Sequence, residues 1–142
     1  EVAEFLRALA EEKHQRLVVD LAQRPTITAD RPSVRQAVIN VIHNALRYSP
    51  PHGEILVHLS VHDARAVLDV IDHGPGIAPE HRERIFERFY RIDNDRARDR
   101  GGAGLGLAIA QWAVGCNHGR ITALPAAGGG ACLRIELPVS RE

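Results

Sequence analysis

The chain of 142 residues contains no methionine, a single lysine and no net charge. Its eighteen basic and eighteen acidic side chains cancel. Binding to nucleic acids or to anionic membranes depends on clustered positive charge, so this balance argues against both kinds of partner. Because methionine is absent even at the start, where Glu1 stands, we expect the chain to be a fragment of a longer protein.

Cysteines and long apolar runs are also scarce. Cys116 and Cys132 are the only thiols and form no CxxC pair, which excludes a disulfide scaffold and favours a reducing, cytoplasmic setting. No run approaches the about 18 apolar residues that predict a membrane span, so we expect this segment to make no membrane contact. An apolar content of 44% and a charged content of 25% are typical of one globular domain.

The periodicity of apolar residues predicts a mixture of helices and strands with no internal repeat. Asp30 and Pro32 form a typical helix start, and that helix ends before Pro50 and Gly53. Predicted helices cover 1–12, 31–48, 79–86 and 105–116, and predicted strands cover 17–21, 26–28, 55–61, 65–72, 120–124 and 131–137. The segment 91–101 is almost entirely charged or glycine and is predicted to be a mobile loop.

Three polar side chains share one face of the predicted helix 31–48. Asn40, Asn44 and Arg47 occupy positions i, i+4 and i+7, opposite an apolar stripe. Amide oxygens are hard ligands suited to Mg²⁺, and a guanidinium suits phosphate oxygens. A solvated helix face explains the triplet equally well, so this patch alone leaves both interpretations open.

A carboxylate and two glycines lie at the end of the predicted strand 65–72. Asp72 closes a buried strand, where it needs a hydrogen-bond donor, and the exocyclic amine of adenine is such a donor. Gly74 and Gly76 would let the backbone approach a flat base closely. Taken alone, the patch is explained more simply as a tight turn capped by an aspartate.

A glycine-rich segment, 101–107, immediately precedes a predicted helix. Its glycines expose backbone N–H groups beside the positive end of the helix dipole, an arrangement that binds phosphate. No strand precedes the segment and no Lys-Ser or Lys-Thr pair follows it. It therefore fits neither a dinucleotide-binding loop nor a P-loop.

The order of these patches resembles that of a known family. The sequences NxxxNAxRY at 40–48, DxGxGI at 72–77, FERFYR at 86–91 and GGxGLGLAIA at 101–110 are similar to those of the catalytic, ATP-binding domain of sensor histidine kinases. The resemblance covers about residues 30–137. It implies a two-layer α/β sandwich of the Bergerat type, in which helices cover one face of a mixed β-sheet and 91–101 form a mobile ATP lid.

The resemblance also implies ATP and Mg²⁺ as cofactors. Asn44, helped by Asn40, would hold Mg²⁺, and Arg47 would contact phosphate. Tyr48 would pack against the adenine, and Asp72 would accept a hydrogen bond from its amine. The remaining positions would line the cofactor site, namely Gly74, Gly76 and Ile77 near the base and Gly102, Ala103, Gly104, Leu105, Gly106 and Leu107 near the phosphates.

Some positions carry further expectations or depart from the family pattern. By the resemblance, Phe86 and Phe89 would anchor the lid and help to dock the phosphoacceptor helices. The departures are His73 where Asn is common, Ala103 where Thr or Ser is common, and Asn117-His118-Gly119 in place of His-Gly-Gly. None of them removes a group assigned to nucleotide or metal.

The same fold serves type II topoisomerases, mismatch-repair ATPases, heat-shock chaperones and anti-sigma serine kinases, so the fold alone does not identify the reaction. The residue at position 40 distinguishes between the possible reactions. In those relatives a Glu four residues before the magnesium Asn is the general base, whereas Asn40 cannot accept a proton at neutral pH. A neutral imidazole needs no such base, so transfer of the γ-phosphoryl group to a histidine is favoured. The alternatives are a catalytically inactive nucleotide-binding regulatory module and a related serine kinase or ATPase.

The acceptor histidine is expected to lie outside this chain. None of its eight histidines opens the His-Glu/Asp-x-Arg/Lys pattern of an acceptor helix, so the isolated chain should not phosphorylate itself. We expect residues 1–12 to end a preceding dimerisation and phosphoacceptor helix and 13–142 to form one catalytic domain. The implied partners are ATP or ADP, the phosphoacceptor domain of the same parent and a response regulator. The implied location is the cytoplasm, or the cytoplasmic portion of an inner-membrane sensor kinase.

Overall fold

The structure is a computed structural model that describes residues 2–12, 14–21, 23–90, 105–126 and 128–140. Its elements are α1 (Val2–Glu12), β1 (Arg16–Leu21), α2 (Arg31–Tyr48), β2 (Glu54–His62), β3 (Arg65–Ile71), two 3₁₀ turns (Pro79–His81 and Arg84–Phe86), α3 (Gly106–Cys116), β4 (Arg120–Pro125) and β5 (Ala131–Pro138). Within these ranges no helix has the length and apolar character that crossing a membrane requires.

The five strands form one mixed sheet in the order β1-β2-β3-β5-β4. Strand β1 pairs with β2 in parallel, and every other pairing is antiparallel. The β2–β3 hairpin turns at Asp63 and Ala64, whose φ angles are 52° and 61°. Two consecutive residues with positive φ match the twist of the flanking strands, which explains this two-residue connection. The mixed sheet confirms the sequence prediction.

Alternation along the strands separates the two faces of the sheet. Val57, Val70 and Leu133 lie side by side in register on three neighbouring strands and are buried in the main core. On the opposite face of the sheet, β3 and β5 carry a charged pair, Asp69 and Arg134. There the Arg134 guanidinium binds both carboxylate oxygens of Asp69, with distances of 2.7 Å from Nε to Oδ1 and 3.0 Å from Nη2 to Oδ2.

Helices α2 and α3 pack against each other on the core face of the sheet. Helix α2 begins as predicted, with the Asp30 carboxylate accepting a hydrogen bond from the Ser33 backbone N–H at 3.1 Å. Asn117, at the end of α3, is 7% exposed and forms hydrogen bonds with residues at the start of α2. Its Oδ1 accepts from the Asp30 N–H at 2.8 Å, and its Nδ2 donates to the Ser33 hydroxyl at 3.1 Å. This departure from the family pattern therefore joins the two helices that carry the predicted site.

Helix α1 was predicted correctly and belongs to the same core. Leu6 and Ala10 are each 1% exposed and pack within the cluster that also holds the buried residues of α2. The backbone N–H of Gln15 donates to the Ala10 carbonyl at 2.8 Å, which closes the end of the helix. The assignment of 1–12 to a preceding acceptor helix stays a prediction.

Two local predictions were wrong. Residues 26–28 do not form a strand, and the only backbone hydrogen bond that the described residues give this segment runs from the Ser140 N–H to the Thr26 carbonyl. A single hydrogen bond does not form the ladder of a β-strand pair. The helix predicted over 79–86 is instead two 3₁₀ turns without side-chain caps. Ile85 and Phe86 are the only buried residues of this segment, so no apolar stripe repeats along it at the spacing of an amphipathic helix.

Candidate nucleotide site

One edge of α2 carries the polar triplet predicted from the sequence. Asn40, Asn44 and Arg47 are half-buried, while Val41 and Ala45 on the same helix are fully buried in the core. The helix is therefore oriented by its apolar stripe, and the amide and guanidinium groups are left at the border of the core. The structure thus brings the three predicted residues onto one helix edge.

Asn40 connects this edge to the start of α3. Its Nδ2 donates to the Gly106 carbonyl at 3.1 Å, and its Oδ1 accepts from Nε2 of Gln36 at 2.8 Å. Asn40 and Gly106 are 66 positions apart in the chain. The bond places the end of the glycine-rich segment beside the amide face of α2.

The last turn of α2 positions Arg47 and Tyr48. Nη2 of Arg47 lies 3.3 Å from Nδ1 of His43, and because arginine only donates, this imidazole nitrogen is the acceptor. A Cβ built on Gly74 would come 2.8 Å from the Tyr48 carbonyl oxygen. The end of α2 thus touches the backbone of the turn that follows Asp72, and a side chain at position 74 would separate them.

Asp72 is 9% exposed and is held by backbone donors. Its Oδ1 accepts from the N–H of Gly74 at 2.9 Å and from the N–H of Ala131 at 3.2 Å. Among the described residues all the hydrogen bonds of this carboxylate go to Oδ1. Oδ2 can therefore accept a hydrogen bond from a ligand that brings a donor.

The wall beside Asp72 is made of main chain. Gly76 has a φ of 78°, and a Cβ there would lie 2.6 Å from the Gly129 carbonyl oxygen. At Gly130 a Cβ would lie 1.9 Å from the carbonyl oxygen of Asp72. Real Cβ atoms do not approach backbone so closely, so both positions require glycine. The glycines of the β4–β5 turn had no site role in the sequence prediction, because only the folded sheet brings that turn against Asp72.

A cavity of about 260 Å³ opens beside this main-chain wall. Arg82 borders it and donates from Nε to the Ile77 carbonyl at 3.2 Å, which fixes the chain beyond Gly76. The sequence prediction missed Arg82. The residues that line the cavity are Pro75, Gly76, Ile77, Ala78, Arg82, Pro125, Ala126, Gly129 and Gly130.

Among the described residues, no side chain caps the first backbone N–H groups of α3. Leu105 occupies the cap position and makes no capping hydrogen bond, and a Cβ on Gly106 would meet nothing within 4 Å. Leu107 packs against the core and anchors the helix. Uncapped N–H groups at a helix start form an anion-binding position. Gly102, Ala103 and Gly104, together with the predicted lid at 91–101, lie outside the described residues.

The two phenylalanines expected near the lid differ in their surroundings. Phe86 is 6% exposed and belongs to the core, whereas Phe89 is 67% exposed. On α3, Ile109 and Trp112 are 45% and 68% exposed, and they lie one turn apart on that helix. The sequence pattern does not distinguish these two residues from core residues, because only the structure shows that they are excluded from the core.

The donor set of the site fits a magnesium–nucleotide complex. In the described part of the chain, no three His, Cys, Asp or Glu side chains lie close enough together to hold a metal ion. The oxygen donors that α2 offers a cation are the amides of Asn40 and Asn44, to which ligand phosphates would add theirs. Mg²⁺ accepts such a set, because it retains waters and binds phosphate oxygens readily.

The sequence matches the family described as histidine kinase-, DNA gyrase B- and HSP90-like ATPases over residues 29–141. The chain belongs to this family. Within it, the chain is 45% identical over 102 residues to the sensor histidine kinase RppB of Synechocystis, a match that covers 72% of the chain and 22% of RppB.

Solved structures give the same assignment. The mycobacterial sensor histidine kinase MprB superposes with a TM-score of 0.83 at 30% identity, covering 97% of this chain and 91% of that one. Full-length ShkA in complex with AMPPNP also has a TM-score of 0.83, at 35% identity, and the match covers 98% of this chain and 28% of ShkA. The chain thus spans less than a third of RppB and of ShkA. The predicted Bergerat-type α/β sandwich, and the identification as an ATP-binding catalytic domain of the sensor histidine kinase family, are confirmed.

Proposed function

We propose that this domain binds Mg²⁺-ATP between the edge of α2, the Asp72 turn and the start of α3, and transfers the γ-phosphoryl group to a histidine on a dimerisation domain outside this chain. A response regulator would then receive the phosphoryl group. The supporting observation is that one hydrogen bond, from Asn40 to the Gly106 carbonyl, joins the amide face of α2 to the uncapped start of α3. We place the parent protein's catalytic portion in the cytoplasm, either free or as part of an inner-membrane sensor.

Adenine would be recognised at the buried end of the site. Oδ2 of Asp72 would accept from the exocyclic amine, while the two backbone bonds to Oδ1 keep the carboxylate in place. The close contact of Gly74 with the Tyr48 carbonyl holds the Asp72 turn against the end of α2, which carries Tyr48. Tyr48 and Ile77 would supply apolar contacts to the rings.

The phosphates would lie between α2 and α3. Asn44, with Asn40, would hold Mg²⁺, whose charge would neutralise the phosphate oxygens, and Arg47 would bind them directly. The remaining phosphate contacts would come from the backbone of Gly102, Ala103, Gly104, Leu105, Gly106 and Leu107. The asparagine amides bind and orient but do not take a proton, so the acceptor must already be nucleophilic at neutral pH, as a neutral imidazole is.

The acceptor helices would dock on apolar side chains near the nucleotide. Phe89, Ile109 and Trp112 are large apolar side chains exposed to solvent. Ile109 and Trp112 follow the phosphate-binding start of α3 directly, so a helix bound there would lie close to the γ-phosphate.

Calorimetric titration with ADP and with a non-hydrolysable ATP analogue, with and without Mg²⁺, tests the binding part of the proposal. Binding that tightens with Mg²⁺ is expected, and failure to bind either nucleotide contradicts the proposed site. Radiolabelled ATP incubated with the chain and a fragment holding the parent's acceptor helices should give phosphohistidine on that fragment only.

Other outcomes of the labelling experiment identify the alternatives. Nucleotide binding without transfer would indicate an inactive regulatory module. Steady phosphate release that Asn40→Ala abolishes would indicate a serine kinase or hydrolytic ATPase. Stable label on the chain alone would contradict the expectation that it lacks an acceptor histidine.

A further inference from the structure

A chain of two side-chain hydrogen bonds runs from α2 to α3. Nε2 of Gln36 donates to Oδ1 of Asn40 at 2.8 Å, and Nδ2 of Asn40 donates to the Gly106 carbonyl at 3.1 Å. Gln36 lies one helical turn before Asn40. Its partner is the Asn40 oxygen.

The partners fix which way the Asn40 amide faces. The Gly106 carbonyl can only accept, so the amide nitrogen must face it and the amide oxygen must face Gln36. If the Asn40 amide turned over, its oxygen would meet the carbonyl oxygen of Gly106, so this carbonyl sets the orientation of the amide. The hydrogen bond from Gln36 holds the Asn40 side chain in the position from which it reaches α3.

We infer that Gln36 is a positioning residue for phosphate and metal binding, acting only through Asn40. This inference rests on the proposed function. The phosphate site has two halves on separate elements, the asparagine amides of α2 and the N–H groups at the start of α3. Groups that orient the ligands of a metal or phosphate site from behind contribute to its affinity because they hold the geometry before the ligand arrives.

Gln36 contributes little to the stability of the fold. Its side chain is exposed, and a single side-chain hydrogen bond between residues one turn apart on the surface of a helix is weak. A substitution at this position therefore changes ligand binding without unfolding the domain. That separation makes the positioning role measurable.

The test compares Gln36→Met, which keeps the length of the side chain but removes the donor, with Gln36→Glu, which offers only acceptors. Gln111→Met and Gln111→Glu are matched controls, because Gln111 is an exposed glutamine on α3. The affinities of ADP with Mg²⁺, of ADP without Mg²⁺ and of adenosine are measured by calorimetry, and thermal unfolding is measured for each variant.

Gln36→Met should weaken Mg²⁺-ADP binding about tenfold, the lower end of the loss expected for a residue that orients metal ligands. Gln36→Glu should weaken it further, because its carboxylate attracts the NH₂ of Asn40 and turns the amide. Adenosine affinity and the unfolding temperature should stay at the wild-type values in both, and the Gln111 variants should bind all three ligands normally. Equal losses for adenosine and Mg²⁺-ADP would contradict a role confined to the phosphate half.

A double-mutant cycle tests whether Gln36 acts through Asn40. In an Asn40→Ala background, Gln36→Met should cause no further loss of Mg²⁺-ADP affinity. The same loss in both backgrounds would overturn the inference. Wild-type protein that fails to bind ADP would refute the proposed function, whereas normal binding by wild type and Gln36→Met alike would refute this inference alone.

Discussion

Substitution of Asp72 should separate adenine recognition from the stability of the turn that holds it. Asp72→Asn can keep Oδ1 as the acceptor for the backbone N–H groups of Gly74 and Ala131, now at 2.9 and 3.2 Å. Each bond loses its charge, so we expect the free energy of unfolding to fall by about 1–2 kcal/mol in total. Nδ2, which replaces Oδ2, would face the adenine amine, and because both groups are donors they could not form a hydrogen bond.

Nucleotide affinity should fall more steeply. Losing a hydrogen bond to a charged acceptor costs about 1.5–3 kcal/mol, which corresponds to roughly a tenfold to hundredfold weaker affinity for ADP. Asp72→Ala should bind as weakly and should also be less stable than Asp72→Asn, because two buried N–H groups then lose their acceptor. Calorimetry with ADP and urea unfolding of each variant provide the two measurements.

Asp69→Asn is the matched control for Asp72→Asn. Asp69 lies on β3, three residues before Asp72, and is also 9% exposed, but its carboxylate binds Arg134 on the sheet face opposite the core. The variant should lose stability and bind ADP with wild-type affinity. Wild-type affinity in Asp72→Asn, or equal losses of affinity in both variants, would refute the assignment of Asp72 to adenine.

Other substitutions test the backbone, a helix end and the thiols. His118 has a φ of 64°, so His118→Gly should raise the free energy of unfolding in urea by about 1 kcal/mol, and no increase would mean that the conformation carries no strain. Gln15 donates to the carbonyls of Leu46 and Ser49 at the end of α2, both at 2.9 Å, and Gln15→Met should lower the unfolding free energy by about 1–3 kcal/mol. Burial is the main cause, and the negative charge of the nearby Asp69 the second, of a pKa of about 12 for Cys132. Iodoacetamide at pH 8 should therefore label exposed Cys116 and leave Cys132 unlabelled until urea is added. Because this folded pKa lies above the ordinary value of 9.0, the thiol's contribution to stability is present below pH 9 and should be lost as the pH rises towards 12.

Features governed by neighbouring residues could be predicted from the sequence. Helix α2 begins at the Asp30 cap and ends at Tyr48, before the prolines, because capping and proline act locally. The β2–β3 hairpin follows from alternation and its short turn. The sheet order could not be predicted in this way. The parallel pairing of β1 with β2, and the insertion of β5 between β3 and β4, depend on contacts between distant parts of the chain.

The candidate site shows the same division. The spacing of Asn40, Asn44 and Arg47 placed them on one helix edge, and the structure has them there. The contact of Asn40 with Gly106 and the contact of Gly130 with Asp72 join segments far apart in sequence, so periodicity carries no sign of them. The role of Gln36 could not be predicted from the sequence, because glutamine is common on exposed helix faces and its hydrogen-bond partner is visible only in the structure.

The main-chain wall beside Asp72 limits how this site can change. A compound that filled the cavity would press against Gly76 and Gly130, where a Cβ would lie within 2.6 Å of a backbone oxygen. A mutation that introduced a side chain at either position to expel the compound would first collide with the protein's own carbonyl groups. Escape from an inhibitor by substitution at these glycines would therefore come at the expense of the fold, and resistance should arise instead among the side chains at the phosphate end.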